Sequence, residues 1–436
     1  MNEYFLRIYN VIQKFNLDLF LVHKVDCINT SAFVKYNFKT RGMIKDILKY
    51  ESEFQSIIPG CWLESKNGYI SICIPKEKSS PYPISELLES DFYRNNPSVL
   101  KIALGENPDG GIVVGNLEKW INVLIAGTPG SGKSNLLNVM INCFAQQDIN
   151  DLRLVLFDLK EVELKQYNCL PHLLKPVITD INRVQYELLS LITEMQRRYK
   201  ILEQNNCRNI QTYRKKNGDM PYLVVVIDEL AEIILTKKEC ENQIVRLAQK
   251  GRACGIHLVI ATQKPNSEIV TSLIKGSIDT RISFKVASHY DSQVILDMSG
   301  AEKLGKCGDM LLRDEDGLQR IQCCYISDEE IGKNLEQFKN GTEELIEVDQ
   351  KPKQLEYVEA EFTEVSELNE QDVLYKQALN FIKDTNKCNL WALKRHLRIG
   401  NKKANNIVEQ LIKNGDISQR KVGNDYEILK GGKLNG

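Results

Sequence analysis

The chain has 436 residues, 42% of them hydrophobic and 26% charged, with a formal net charge of −1. This composition is that of a globular protein; it excludes collagenous and intrinsically disordered classes, and the near-zero total charge points to no partner. No run approaches the ~18 apolar residues of a membrane span, no signal peptide opens the chain, and twelve cysteines without a C-x-x-C pair predict reduced thiols in a cytoplasmic protein.

Residues 1–97 mix alternating segments (Ala32–Phe38, Tyr69–Ile74) with helical ones (Met43–Phe54, Pro83–Glu89), which predicts a small α+β domain. Between 98 and 341, five apolar runs alternate with helical stretches: Val123–Ala126, Leu152–Phe157, Leu223–Ile227, His257–Ala261 and Arg281–Val286. Continuous apolar strands separated by helices predict an α/β domain whose parallel sheet is covered on both faces. Residues 342–371 are strongly acidic and contain Pro352, the pattern of a solvated linker. Residues 372–433 form a compact, helix-rich unit of the opposite sign.

The most informative segment is an apolar strand running directly into Gly127, Thr128, Pro129, Gly130, Ser131, Gly132, Lys133 and Ser134, a G-x-x-x-x-G-K-S loop. Its glycines let successive backbone N–H groups turn inward as an anion nest. Lys133 can then reach the β- and γ-phosphates of a nucleoside triphosphate, and the Ser134 hydroxyl is placed for Mg²⁺. Asn135 continues a helix whose positive end also faces the phosphates. ATP and Mg²⁺ are the expected ligands.

A second apolar strand ends in Asp228 and Glu229. Strand ends face the nucleotide in such sheets, so Asp228 can bind Mg²⁺ and Glu229 can polarise the attacking water. The next strand ends in Thr262 and Gln263, and Gln263 is a candidate γ-phosphate sensor. Arg246, Arg252 and Arg281 are candidates to stabilise charge on the nucleotide of a neighbouring subunit.

Several further stretches resemble the FtsK/SpoIIIE family of double-stranded DNA translocases. They include Asp158-Leu-Lys160 with Glu163, Leu170 to Leu174, Val177 to Asp180 and Glu194 to Lys200. The likeness continues through Arg246 to Leu258, Ala261 to Pro265, Thr280 to Phe284, Asp291 to Asp297, Gly300 to Leu304 and Gly308 to Leu311, and spans roughly residues 30–430. The resemblance implies a RecA-like P-loop motor that assembles as a homo-hexamer around duplex DNA. It places the trans-acting arginine at Arg281. It also makes Ile58-Pro-Gly60 and Tyr69–Pro75 part of the small domain that precedes the motor.

In the last unit, helices over Asp372–Asp384, Leu390–Leu397 and Asn401–Lys413 precede two strands, Ile417–Val422 and Tyr426–Leu429. A turn at Gly423 to Asp425 joins the strands. Three helices and a hairpin describe a winged helix. Between Asp372 and Lys433 thirteen basic residues stand against six acidic ones, an electrostatic footprint for phosphate contacts. Arg398, Lys402 and Lys403, at the start of the third helix, are the candidate DNA contacts. The family's Tyr-Asn-Arg there is replaced by Asn401-Lys402-Lys403, which removes an adenine-reading Asn and leaves phosphate affinity.

The expected function is an ATP-driven duplex-DNA translocase that moves or segregates DNA, chromosomal or that of a mobile element. It would lack a membrane anchor and so use a tethering or DNA-processing partner. Two other classes stay open: a nucleotide-switched DNA-loading protein that does not travel, and a secretion ATPase with a related motor.

Overall fold

The computed structural model describes residues 3–20, 27–66, 68–76 and 82–345, together with 378, 379, 381, 382, 388–397, 401–414, 416–422 and 425–428. The chain separates into two compact units, residues 1–350 and 351–436.

The first unit opens with a small antiparallel sheet of β1 (Cys27–Asn29), β2 (Phe33–Phe38), β3 (Trp62–Lys66) and β4 (Tyr69–Pro75), in the order β1-β2-β4-β3. Its apolar face, with Tyr36, Ile70, Ile72 and Ile74, closes a core with Ile8 and Val11 of the helix Glu3–Lys14 and with Phe54. The helix expected over Met43–Phe54 is two, Ile44–Leu48 and Glu51–Ile57, because Tyr50 leaves helical geometry with ψ 13°.

The second sheet has nine strands: β5 (Lys101–Glu106), β6 (Ile112–Asn116), β7 (Val123–Ala126), β8 (Leu152–Phe157), β9 (Tyr222–Ile227), β10 (Ile256–Thr262), β11 (Thr280–Phe284), β12 (Asp309–Asp314) and β13 (Gly317–Cys323). Their order is β6-β5-β13-β12-β11-β7-β10-β9-β8. The five apolar runs read from the sequence are the parallel strands β7 to β11. β7, β9 and β10 are buried along their whole length, which their unbroken Val, Leu and Ile runs require. The other four strands are antiparallel, and β5 and β6 come from chain that precedes the glycine loop.

The small sheet packs on this antiparallel side. The buried Lys35 of β2 pairs with Glu64 and with Asp109, and the Arg320 guanidinium of β13 lies 3.7 Å from the centre of the Trp62 ring. Arg320 is held flat there by a two-pronged contact with Asp309, at 2.9 and 2.6 Å. The last helix of this unit, Asp328–Leu345, runs past residue 341 into the segment read as linker. Ser327 and Glu330 start it with a reciprocal cap.

In the second unit the helices Leu390–Leu397 and Asn401–Lys413 precede β14 (Ile417–Val422) and β15 (Asp425–Ile428), an antiparallel hairpin. Ala378, Ile382, Leu393, Ile407, Leu411 and Ile417 form its core. Of the first expected helix, 378, 379, 381 and 382 are described and helical, and the acidic segment 346–371 lies outside the described residues.

Candidate nucleotide site

β7 lies between β10 and β11, and the chain leaves it to cross two strands before entering β8. Such a switch point opens a crevice at the carboxyl ends of the strands. The glycine loop fills this position, between β7 and the helix Lys133–Ala145.

Two glycines make the loop possible. Gly130 and Gly132 have φ of +72° and +122°, a region that side chains disfavour. A Cβ on Gly132 would also lie 2.9 Å from the Gly308 backbone and from the Phe284 ring. The loop is held from outside by Thr128 N–H donating to the Lys285 carbonyl at 2.9 Å and Gly308 N–H donating to the Ser131 carbonyl at 2.8 Å. Inside it, the buried Ser131 hydroxyl has no partner among the described residues.

Lys133, on the first turn of the helix, is only 3% exposed. Its ammonium donates to Asp228 Oδ1 at 2.6 Å and to the Asp228 carbonyl at 2.8 Å. The two buried charges thus neutralise one another, as burial in a low dielectric requires. Glu229, the next residue, is equally enclosed. Its Oε1 accepts from Thr262 Oγ1 at 2.7 Å and Gln263 N–H at 3.1 Å, and its Oε2 from Lys160 Nζ at 3.2 Å. Asp228, Glu229, Lys133 and Gln263, read from separate motifs, are therefore one cluster.

The loop after β8 closes over this cluster. Asp158 is fully buried, and its Oδ2 accepts the N–H groups of Glu163 and Leu164 at 3.1 and 2.8 Å. That turn carries Lys160 to Glu229 and Glu163 to Ser134, whose hydroxyl donates to Glu163 Oε1 at 2.8 Å. The sequence marked these three residues only as points of family likeness. Charged side chains directly after a buried parallel strand were the signal that would have placed them here.

Beside the cluster lies a cavity of about 510 Å³. Gln263 and the glycine loop line it, with Thr128, Pro129, Gly130, Lys133, Ser134 and Asn135 among the lining groups. Cys307, Gly308, Gln322, Cys323 and Tyr325 form the rest of its wall, and of these only Gly308 stood in a stretch of family likeness. Asn135 belongs to that wall as much as to the loop. Its amide donates to the Cys324 carbonyl at 2.7 Å and accepts from Ile326 N–H at 3.1 Å.

Arg281, the arginine that the family likeness singled out, lies apart from the cluster's partners. It is 8% exposed and its guanidinium is committed within its own chain. It donates to the carbonyls of Ile278 and Ile295 at 3.2 Å, of Lys275 at 3.0 Å, and to Asp297. In this arrangement the guanidinium is held within the chain. Arg246 and Arg252 are exposed. In the second unit, Arg398 lies outside the described residues, and only the backbone of Lys402 and Lys403 is described, on the first turn of Asn401–Lys413.

Oxygen donors from Ser134, Asp228 and Glu163 suit a hard cation such as Mg²⁺. Among the described residues no group of three or more acidic, His or Cys side chains could enclose a metal alone. Among the same residues no helix is long and apolar enough to cross a membrane.

The sheet order, the glycine loop and the paired acids define a RecA-like P-loop nucleotide-binding protein. The FtsK/SpoIIIE family profile matches residues 83–267, and that of the Ftsk gamma domain matches residues 369–430. The chain belongs to the FtsK/SpoIIIE family. It is 37% identical over 378 residues to the DNA translocase FtsK of Clostridium tetani, covering 83% of this chain and 49% of the relative. It is 33% identical over 436 residues to the DNA translocase SftA of Bacillus subtilis, covering 96% and 44%. The chain thus spans about half the length of these relatives. Among solved structures, the pCW3 conjugation coupling protein TcpA with ATPγS shares the fold at TM-score 0.55 and 22% identity, over 77% of this chain and 99% of that one. The cytoplasmic domain of the Thermomonospora curvata type VII secretion ATPase EccC does so at 0.54 and 23%, over 60% and 34%.

Proposed function

We propose that this chain is an ATP-driven, double-stranded DNA translocase that works as a homo-hexameric ring in the cytoplasm. The observation that carries the reading is the cluster of Lys133, Asp228 and Glu229 beside the glycine loop's cavity. Membership of a family whose relatives are named DNA translocases supports it. In this reading the loop's N–H groups and Lys133 hold the β- and γ-phosphates, and Lys133 exchanges Asp228 for phosphate as ATP enters. Ser134 and Asp228 hold Mg²⁺, which supplies positive charge against the phosphates. Glu229 takes a proton from the water whose oxygen bonds to the γ-phosphorus, while the bond to the β-bridging oxygen breaks and ADP and phosphate leave. Gln263 orients the γ-phosphate. Arg246 or Arg252 completes the neighbouring subunit's site.

The small domain (1–97) and motor (98–341) act as one body, and the winged helix (372–433) adds DNA affinity through Arg398, Lys402 and Lys403. A tethering or DNA-processing partner would direct the motor. Triplex displacement tests the function: wild type with ATP strips a third strand from a supplied duplex, and Glu229→Gln does not. A protein that binds duplex in an ATP-dependent way without stripping is a loading switch, and translocation is then wrong. Deleting residues after Asp372 should weaken duplex binding and flatten its dependence on salt, because phosphate contacts are lost. Unchanged salt dependence removes the winged helix from DNA recognition.

A further inference from the structure

We propose that Asp309 and Arg320 are positioning residues for the glycine loop, and that Trp62 of the small sheet sets them, so that the small domain tunes the affinity of the nucleotide site. The inference rests on the nucleotide reading above and goes beyond it by tying a separate sheet to that site. The contact that carries it is Gly308. Its N–H holds the Ser131 carbonyl at 2.8 Å, and a Cβ on Gly132 would meet its backbone at 2.9 Å. A shift of the turn at 305–308 therefore shifts or loosens the glycine loop.

That turn does not hold itself. Cys307 and Gly308 follow one another with φ of +59° and +99°, and a side chain in the left-handed region persists only where its surroundings fix it. Three groups do so. Asp309 Oδ2 accepts Gly305 N–H at 2.7 Å, Gln322 Nε2 donates to the Cys307 carbonyl at 2.8 Å, and Cys323 N–H donates to the Gly308 carbonyl at 2.7 Å. The Asp309 side chain is only 4% exposed, so its charge needs a partner. Arg320 supplies it through the two-pronged contact. The same guanidinium lies against the small sheet, 3.7 Å from the centre of the Trp62 ring and 5.6 Å from that of Phe33. Those two rings meet edge to face, 5.4 Å apart. A guanidinium on an indole face is attracted to the ring and held in orientation there. Trp62, Arg320, Asp309, the turn at 305–308 and Ser131 are thus one unbroken series of contacts from the small sheet to the glycine loop.

Titration calorimetry on the full chain with Mg-ATP and with inorganic tripolyphosphate, beside urea unfolding of each variant, tests this. Trp62→Leu keeps apolar bulk and removes the π-face, so per folded molecule it should weaken both ligands alike by roughly 2- to 30-fold. Trp62→Phe, which keeps a ring beside the guanidinium, should bind close to wild type. Asp309→Asn, which cannot form the two-pronged contact, should weaken both ligands by at least as much as Trp62→Leu. Because the residues act in series, the double variant should bind no worse than Asp309→Asn alone. The two Trp62 variants decide the matter even where Asp309→Asn does not fold. Unaltered affinity in folded Trp62→Leu, with only its stability reduced, means that the contacts merely seat the small sheet and overturns the proposal. So does a loss confined to ATP, an additive loss in the double variant, or a Trp62→Phe protein as weak as Trp62→Leu. Wild type that binds neither ligand would sink the nucleotide reading itself and this inference with it, a failure distinct from those.

Discussion

The two edges of the parallel strands bury charge in opposite ways. At the amino-terminal edge, Arg198 donates to Glu194 Oε1 at 2.8 Å and to the carbonyls of Pro221 and Cys254, just before β9 and β10. Arg281 is tied by three carbonyls and Asp297. These cations are bound largely by backbone that cannot leave. At the carboxyl edge, Lys133 is held by Asp228, Ser134 by Glu163, and Glu229 by Thr262, Gln263 and Lys160. Here side chains mostly satisfy other side chains, next to open volume. A buried charge saturated by carbonyls is permanent structure, whereas one neutralised by a neighbouring side chain beside a cavity can exchange that partner for a ligand.

The sharpest break of this contrast is Glu229→Gln. The amide keeps the shape and its Thr262 contact but cannot take a proton from water. Turnover should fall on the order of 10²- to 10⁴-fold, the usual worth of a general base, while ATP binding persists. Hydrolysis at the wild-type rate would show that Glu229 is as structural as Arg198. The reciprocal test is Arg198→Met. Removing one partner of a buried, hydrogen-bonded pair should cost about 3–5 kcal/mol of stability, read by urea unfolding. The nucleotide affinity of the folded protein should not move, and a matching loss of affinity would deny that the two edges are independent.

His257, at the amino-terminal end of β10, adds a pH signature to the permanent edge. Its Nδ1 lies 2.8 Å from the Ile121 carbonyl and so carries the proton, while Nε2 is buried without a partner among the described residues. Burial pushes its pKa from 6.5 down to about 4. The folded protein therefore favours the neutral ring, and the unfolded chain takes up a proton first as pH falls. Its contribution is complete above about pH 6.5 and is lost toward pH 4, a fall of about 3 kcal/mol. His257→Asn, which can still donate to Ile121, should flatten that part of the stability profile. An unchanged slope between pH 6.5 and 4 would assign the acid sensitivity to carboxylates instead.

What could be read from the sequence follows the same division. The glycine loop and Asp228-Glu229 are contiguous, and each announces its chemistry in a few residues. The parallel strands show as unbroken apolar runs. The anchoring of Arg281 was not legible because its partners are carbonyls, which no sequence displays, and an aspartate 16 residues away. β5 and the Tyr325 wall escaped because β5 pairs with β13, the pairing of Gly105 with Cys323 that closes the sheet, and such long-range register leaves no local pattern. Arg281→Ala sharpens the point. Losing its charged hydrogen bonds should cost about 1–3 kcal/mol of stability with turnover per folded molecule nearly unchanged. A loss on the order of 10³-fold would instead restore the trans-acting arginine.

The smallest expected effect lies where the two kinds of burial meet. Lys160 pairs with Glu229 across 3.2 Å, but its side chain is 37% exposed while that of Glu229 is 3% exposed. Solvent screens such a contact, so it is worth no more than about 1 kcal/mol. Thr262 Oγ1, at the end of β10, and the N–H of Gln263 directly after it hold the same carboxylate from inside. Removing the ammonium therefore leaves Glu229 in place. Lys160→Met should change turnover by less than about fivefold, and high salt should erase most of the difference from wild type. Thr262→Val, which leaves the Oε1 atom short of a buried donor, should have the larger effect of the two because hydrogen bonds to charged groups contribute about 1.5–3 kcal/mol. If Lys160→Met instead costs a hundredfold that salt does not diminish, the ammonium takes part in the reaction. The loop after β8 would then belong to the catalytic machinery and not merely cover it.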